Sequence, residues 1–339
     1  MCRNSRILLK EGDRMERNYT VFVGDVALDE YYEVQRFPAV KEKVGARMLS
    51  AQMGGMVANA AAVYASFGHK TEFVSALNRG AITERLCTGL REAGIGTGHI
   101  IYDDNLKDSK CLIFLSKEEH EHTVFIIDTE LNTIEIPPHT QQMICGASVV
   151  YSNYCEVRHL RCGELAGPQV MAQWKAAGAR VCCDIDVADI EEDLRPYFAS
   201  TDILFMNEIG FARLCAGRAP GQASADILQS GVGMLVVTLA EHGSRIYCPG
   251  RTIDVPGVPV DVVDVTGAGD TYCSSFVSMM EACGDPAMAG TFATYAASLA
   301  ITSLGARSGA VGTQPVLEFM RQRAEPRTEG IAAALRHNR

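Results

Sequence analysis

Seven residues, Asp264-Val265-Thr266-Gly267-Ala268-Gly269-Asp270, constrain this chain more than any other stretch. An apolar, β-branched run precedes them, Val255 to Val265. A small-residue segment, Thr271 to Met280, follows and reads as a helix. The two glycines therefore sit in a tight turn that opens a helix. Free backbone N–H groups and the positive end of the helix dipole favour an anion such as phosphate at that point. Glycine lets the backbone come close to it. Asp270 has two readings. It is a helix-terminus carboxylate, or it is a general base that deprotonates a hydroxyl attacking phosphorus. The pattern alone leaves both open.

The remaining chain supplies a frame for such a turn. Thr20–Asp25 reads as a short buried strand ending at a turn. Tyr31–Phe37 and Val44–Met53 alternate loosely and suggest a hairpin with one solvated face. Gly54-Gly55 opens an alanine-rich helix through Phe67, ended by Gly68. Strand Thr71–Leu77 and helix Ala81–Ala93 follow. Lys110–Ser116 and Thr123–Asp128 form a second β-rich pair around a polar tip, Lys117 to His122. That tip reads as a hairpin end rather than a metal site. From Ala147 the order becomes regular. Strands Ala147–Ser152, Arg180–Asp184, Asp202–Met206 and Met234–Leu239 alternate with helices ending near Gly178, Phe198, Cys215 and Gln229. This predicts an α/β fold with a mostly parallel sheet and helices on both faces. Ser244–Val255 reads as a hairpin leading into the central motif, and Ala287–Ser303 as a helix after it. No linker divides the chain.

Composition narrows the function classes. At 339 residues the chain can bury a large core, as one domain or two. A net charge of -10 speaks against a general nucleic-acid or anionic-membrane binder, though not against a local phosphate site built from backbone dipoles. The 12 cysteines include no C-x-x-C and no zinc-type spacing. Met1 to Asn18 is polar, with no signal-peptide pattern, and no apolar run reaches membrane-spanning length. Reduced thiols in a cytoplasmic protein are the expectation, and Met15 is a candidate natural start. No G-x-G-x-x-G follows the first strand and no G-x-x-x-x-G-K-[ST] occurs. A nicotinamide dehydrogenase and a P-loop NTPase are therefore disfavoured.

D-x-x-D-x-T-G-A-G-D followed by a small-residue helix resembles the C-terminal signature of the PfkB, or ribokinase-like, carbohydrate kinases. Far upstream, Gly54-Gly55-Met56-Val57-Ala58-Asn59-Ala60-Ala61 is similar to that family's G-G-x-x-x-N-x-A. The resemblance runs from about Tyr19 to about Met320. It implies a three-layer α/β/α kinase domain over residues 19–320, with lid segments at about 29–53 and 107–128. Residues 1–18 are then an N-terminal extension, and 321–339 an Arg-rich, solvated tail. The implied reaction is transfer of the ATP γ-phosphate to a sugar hydroxyl, with Asp270 as base and the Gly267-Ala268-Gly269 amides as anion hole. Asp29, Gly54, Gly55 and Asn59 are the implied sugar contacts. By themselves Asp29 reads as a loop or cap aspartate and Asn59 as a cap or solvated residue.

ATP-side contacts implied by the same resemblance are Asn207, Thr238 and Gly243 beside Gly267 and Gly269. Asp264 and Thr266 are the implied carbonyl ligands of a monovalent cation such as K+, and Mg2+ accompanies ATP. Three departures stand out. Gly210 replaces the glutamate of the family's N-x-x-E, Ala240 replaces a glycine of T-L-G-x-x-G, and no glutamate stands in register near Cys155. The last weakens ribose and leaves hexoses, ketoses and acidic or sulfonated sugars open. A nucleoside kinase of the same superfamily would share every motif, and a non-catalytic sugar sensor is the rival of another class. An open lid edge could pair in a homodimer.

Overall fold

The computed structural model describes residues 17–119, 121–185 and 194–337. The N-terminal extension up to residue 16, His120 and most of the stretch before Phe198 lie outside the described residues. In chain order the first half runs β1 (Thr20–Val23), β2 (Ala27–Val34), β3 (Ala46–Gly54), α1 (Met56–Ser66), β4 (Thr71–Val74), β5 (Ala76–Leu77), α2 (Ala81–Glu92), β6 (Ile95–Gly96), β7 (Ile101–Tyr102), β8 (Lys110–Ser116), β9 (His122–Ile126), β10 (Ile134–Glu135), α3 (Pro138–Cys145) and β11 (Val149–Asn153). The second half runs α4 (Tyr154–Val157), β12 (Leu160–Cys162), β13 (Leu165–Ala166), α5 (Gly167–Ala177), β14 (Arg180–Ile185), α6 (Arg195–Phe198), β15 (Ile203–Asn207), α7 (Glu208–Cys215), α8 (Pro220–Gln229), β16 (Met234–Thr238), β17 (Gly243–Cys248), β18 (Arg251–Pro256), α9 (Ala268–Cys283), α10 (Pro286–Ala300), α11 (Thr313–Gln322) and α12 (Thr328–His337).

Nine strands form one sheet in the order β18-β17-β16-β15-β14-β11-β1-β4-β6. From β6 to β16 every pairing is parallel, and β17 and β18 close the edge antiparallel. Alternate residues of the strands feed two cores, because strand side chains point to opposite faces. Phe22, Phe73, Tyr151, Phe205 and Val236 pack under α1, α2, α9 and α10. Val21, Val74, Val150, Leu204 and Leu235 pack under α3, α5, α7 and α8. The result is a three-layer α/β/α molecule.

Chain order reverses direction across the sheet between β1 and β11. β1 is followed outward by β4 and β6, while β11 is followed the other way by β14, β15 and β16. Such a switch point opens a crevice beyond the strands' carboxyl ends. Gly24-Asp25 leave β1 at this place, and Asn153 ends β11. A separate four-stranded sheet has the order β3-β2-β8-β9.

Small residues govern how α1 meets α9. The Ser274 hydroxyl donates to the Ala60 carbonyl at 2.6 Å, so the two backbones approach closely. Larger side chains at these positions would separate the helices. This contact sets the distance between Asn59 on α1 and Asp270 on α9.

Several expected elements differ. The run Val255–Val265 leaves the sheet after Pro256, and Val262, Val263 and Val265 are 57%, 61% and 62% exposed. The expected long helix before Gly178 is α4, a two-strand excursion and then α5; Gly163 at φ 58 turns the chain between β12 and β13. The stretch after Met320 is not a solvated tail. It carries α12, where Ile331 and Ala332 are buried against the α9–α10 core.

Candidate active site

The crevice at the switch point is lined with carboxylates. Asp25 accepts hydrogen bonds from the backbone N–H groups of Met56 (2.8 Å) and Val57 (3.0 Å), and so caps α1. Gly55 makes this entry possible. It sits at φ 93, and a Cβ there would stand 2.7 Å from the Val26 Cα. Beside Asp25, burial and then the Asp25 charge push the Glu156 carboxyl up to about 8, against the nearby Arg158. Glu156 lies one residue after Cys155, where the sequence pattern shows no glutamate in register. Its presence at the crevice follows from α4, which the sequence reading merged into a longer helix.

Asp29 is not a loop residue. It lies within β2, opposite Gln52 of β3 and Cys111 of β8, and is buried. Gly54 leaves the space that its carboxylate fills, since a Cβ on Gly54 would come within 2.0 Å of Asp29 Oδ2. Gly54 and Gly55 thus act through packing and backbone conformation. Burial pushes Asp29 up to about 6. Asp25 adds to the rise, while a hydrogen bond with Cys111 and the charge of Arg307 oppose it.

Asn59 joins this pocket to the central motif. Its Nδ2 donates to Asp270 Oδ2 at 3.0 Å, across 211 residues of sequence. On its other side, Arg307 Nε donates to Asn59 Oδ1 at 3.1 Å. Asp29, Asn59 and Asp270 therefore belong to one cluster, with Arg307 as a fourth member. Burial lowers the Arg307 guanidinium to about 10, against the pull of Asp29 and Asp270.

The turn before Asp270 has the geometry its glycines imply. Gly267, at φ 76, immediately precedes α9. A Cβ there would collide with the Ala306 carbonyl, whereas one on Gly269 would meet nothing within 4 Å. Gly267 is thus needed for packing, and Gly269 faces open space at the positive end of a 16-residue helix. The Asp264 carboxylate clamps the turn. It accepts from the Thr266 N–H at 2.9 Å, the Thr266 hydroxyl at 2.7 Å and the Gly305 N–H at 2.9 Å. Burial opposes its charge, but these bonds, with His122 nearby, outweigh it and hold Asp264 below the usual carboxylate range.

The small sheet approaches this turn. Burial and then the charges of Asp29 and Asp264 raise the Tyr31 hydroxyl to about 12. Gln52 of β3 reaches Gly305, with Oε1 3.1 Å from where a Cβ would stand.

The expected nucleotide-side residues line the carboxyl edge further along. Asn207 ends β15 and accepts from Gly210 N–H at 2.7 Å, capping α7. Gly210 is buried in that first turn and Glu208 points to solvent, so neither supplies the missing glutamate. Thr238 ends β16 opposite Ser244. Gly243, at φ 93, cannot carry a Cβ, which would stand 2.1 Å from the Val255 carbonyl. A cleft of 360 Å³ beside this edge is lined by Phe211, Leu239 and Tyr247. Asp29, Asn59 and Asp270 lie outside it. Among the described residues no cluster of His, Cys, Asp and Glu could hold a metal ion.

Residues 17–312 match the pfkB family carbohydrate kinase. The chain belongs to the pfkB family of carbohydrate kinases. Its reaction class is ATP-dependent phosphoryl transfer to an alcohol group of a carbohydrate. This pfkB kinase is 25% identical to the nucleoside kinase of Methanocaldococcus jannaschii, covering 91% of this chain and 97% of that one. It is also 25% identical to the ribokinase of Haemophilus influenzae, covering 90% and 99%. The solved structure of Arabidopsis thaliana ribokinase complexed with ribose and ATP superposes with a TM-score of 0.77 at 24% identity, covering 90% and 99%. The family and the fold are thereby settled, and its sheet, lid and helix layers are those of a ribokinase-like kinase. No helix among the described residues is long and apolar enough to cross a membrane.

Proposed function

We propose that this kinase phosphorylates a hydroxyl of a small sugar held at the switch-point crevice, with Asp270 as the general base. The observation that carries this reading is the Asn59–Asp270 hydrogen bond. It unites a buried acceptor pocket with a carboxylate in the first turn of α9. A hydroxyl placed by Asp29 and Asn59 would stand where Asp270 can take its proton. The amides of Gly267, Ala268 and Gly269 would then meet the charge on the transferring phosphoryl group. The lid excludes water, so that ATP reacts with the sugar.

Mg2+ enters with ATP as part of the substrate complex and is held mainly by phosphate and water. Thr238 and Gly243 flank the nucleotide, and Asn207 shapes the edge beneath it. K+ suits the turn beside the anion hole. The carbonyls of Val265 and Gly267 accept from Ala268 and Thr271 within the turn. Those of Asp264 and Thr266 would hold the cation, adding positive charge next to the phosphoryl site. The lid edge is a candidate dimer surface. On β9, Val124, Phe125 and Ile126 are 46%, 54% and 81% exposed, and Met48 and Leu49 on β3 are 53% and 44% exposed.

A nucleoside acceptor is the second reading. It is favoured by the likeness to the M. jannaschii nucleoside kinase and by Tyr31, an aromatic ring on the lid strand beside Asp29. Coupled ADP release with ATP and Mg2+, across neutral sugars, sugar acids and nucleosides, separates the two. Turnover on sugars supports the first reading. Turnover confined to nucleosides replaces it with the second, and none on any acceptor, with acceptors still raising the melting temperature, favours a sensor.

A further inference from the structure

We propose that Arg307 selects an acceptor sugar bearing a carboxylate, its guanidinium edge gripping that anion beside Asp29 and Asn59. This rests on the crevice being the acceptor site. The loop that carries Arg307 is fixed at two points. The Asp264 carboxylate accepts from Gly305 N–H at 2.9 Å, and the Ala306 carbonyl lies against Gly267. The side chain is then steered into the pocket by the Nε bond to Asn59 Oδ1 at 3.1 Å.

One nitrogen of the guanidinium is unsatisfied. Nη2 is shut off from solvent and has no hydrogen-bond partner. Among the described residues Arg307 makes no ion pair, although Asp29 and Asp270 lie within electrostatic reach. Burying a guanidinium N–H without a partner is unfavourable, and a ligand that supplies one gains that deficit as affinity. Asn59 is not that partner: its oxygen takes the Nε bond and its nitrogen donates to Asp270. A sugar hydroxyl offers one acceptor atom. A carboxylate offers two oxygens in the plane of the guanidinium fork, together with charge. An anion entering past Asp25, Asp29 and Asp270 also needs a cation to offset their repulsion, and Arg307 is placed to do so.

The test compares gluconate with glucose and ketogluconate with fructose, on wild type, Arg307→Gln and Arg307→Lys. Circular dichroism and melting check that each variant folds. The readouts are kcat/KM by ADP release and affinity by calorimetry. Wild type should favour the acid of each pair by about tenfold or more, the scale of a charge-assisted hydrogen bond. In Arg307→Gln that acid-over-neutral ratio should collapse through KM for the acid, and Arg307→Lys should retain part of it.

A wild type that prefers the neutral sugars overturns the proposal. So does an Arg307→Gln variant that loses kcat equally on acid and neutral acceptors, since the guanidinium would then serve the phosphoryl group. A sugar phosphate in the same panel separates oxyanions, and its preference over both acids also overturns the carboxylate assignment. Should no acceptor turn over, the kinase reading fails, and calorimetry still decides this one. Acid binding weakened in Arg307→Gln upholds it, and equal binding overturns it.

Discussion

Asp29 shows how much a single side chain depends on its neighbours here. Its carboxyl is raised from 3.8 to about 6, mainly by burial. The contribution of this group to stability is therefore fully present below 3.8 and is lost as pH rises through about 6. Asp29→Asn should raise the melting temperature at neutral pH, with the gap closing as pH falls toward 4; a gap that widens in acid contradicts this. Ala240 supplies a second residue-scale prediction. It adopts φ 49 at the position where the family pattern has glycine. A left-handed non-glycine residue costs about 1 kcal/mol, so Ala240→Gly should leave stability equal or higher by chemical denaturation, despite glycine's greater unfolded-state freedom. A clear loss would show that Ala240 is held by packing instead. Asn59 and Asp270 were legible in the sequence because each lies in a motif, and Asp29 because the family resemblance implies it. Arg307 and Glu156 were not. Arg307 meets Asn59 across 248 residues, and Glu156 reaches the crevice only because α4 is a single turn.

Elements were legible where their period was strong. The strands β11, β14, β15 and β16 are short apolar runs in a segment where strands alternate with helices, so they could be placed from pattern alone. Pattern failed where partners decide. The apolar run after Val255 has valines enough for a strand, but β18 is the sheet's edge and among the described residues no strand lies beyond it. The C-terminal helix α12 is short and flanked by arginines, which hides its apolar stripe. Its stripe becomes visible only against α9. Ile331→Ala should therefore destabilise the protein by about 2 to 5 kcal/mol, read as a lower denaturation midpoint. A change below about 0.5 kcal/mol, as for surface substitutions, would mean that α12 does not pack as described.

At the scale of the molecule, the site exists only because distant segments converge. The switch between β1 and β11 opens the crevice, the α1–α9 contact carries Asn59 to Asp270, and Gln52 of the small sheet reaches Gly305. The order of strands could be read as α/β in class, yet the lid's register, with β2 between β3 and β8, required the structure. If lid strands pair between two molecules, Phe125→Glu should shift a dimer to monomer in sedimentation. A sedimentation coefficient unchanged from wild type removes that surface from consideration. Phosphoryl transfer in this kinase turns on Asp270. The most direct measurement is kcat for the best acceptor in Asp270→Asn, with KM and the melting temperature recorded beside it. The expected result is a fall of about a hundred- to ten-thousandfold in kcat, the scale of a lost general base, with KM and folding little changed. A variant that keeps kcat within about threefold, far short of that scale, would contradict the assignment of Asp270 as the base.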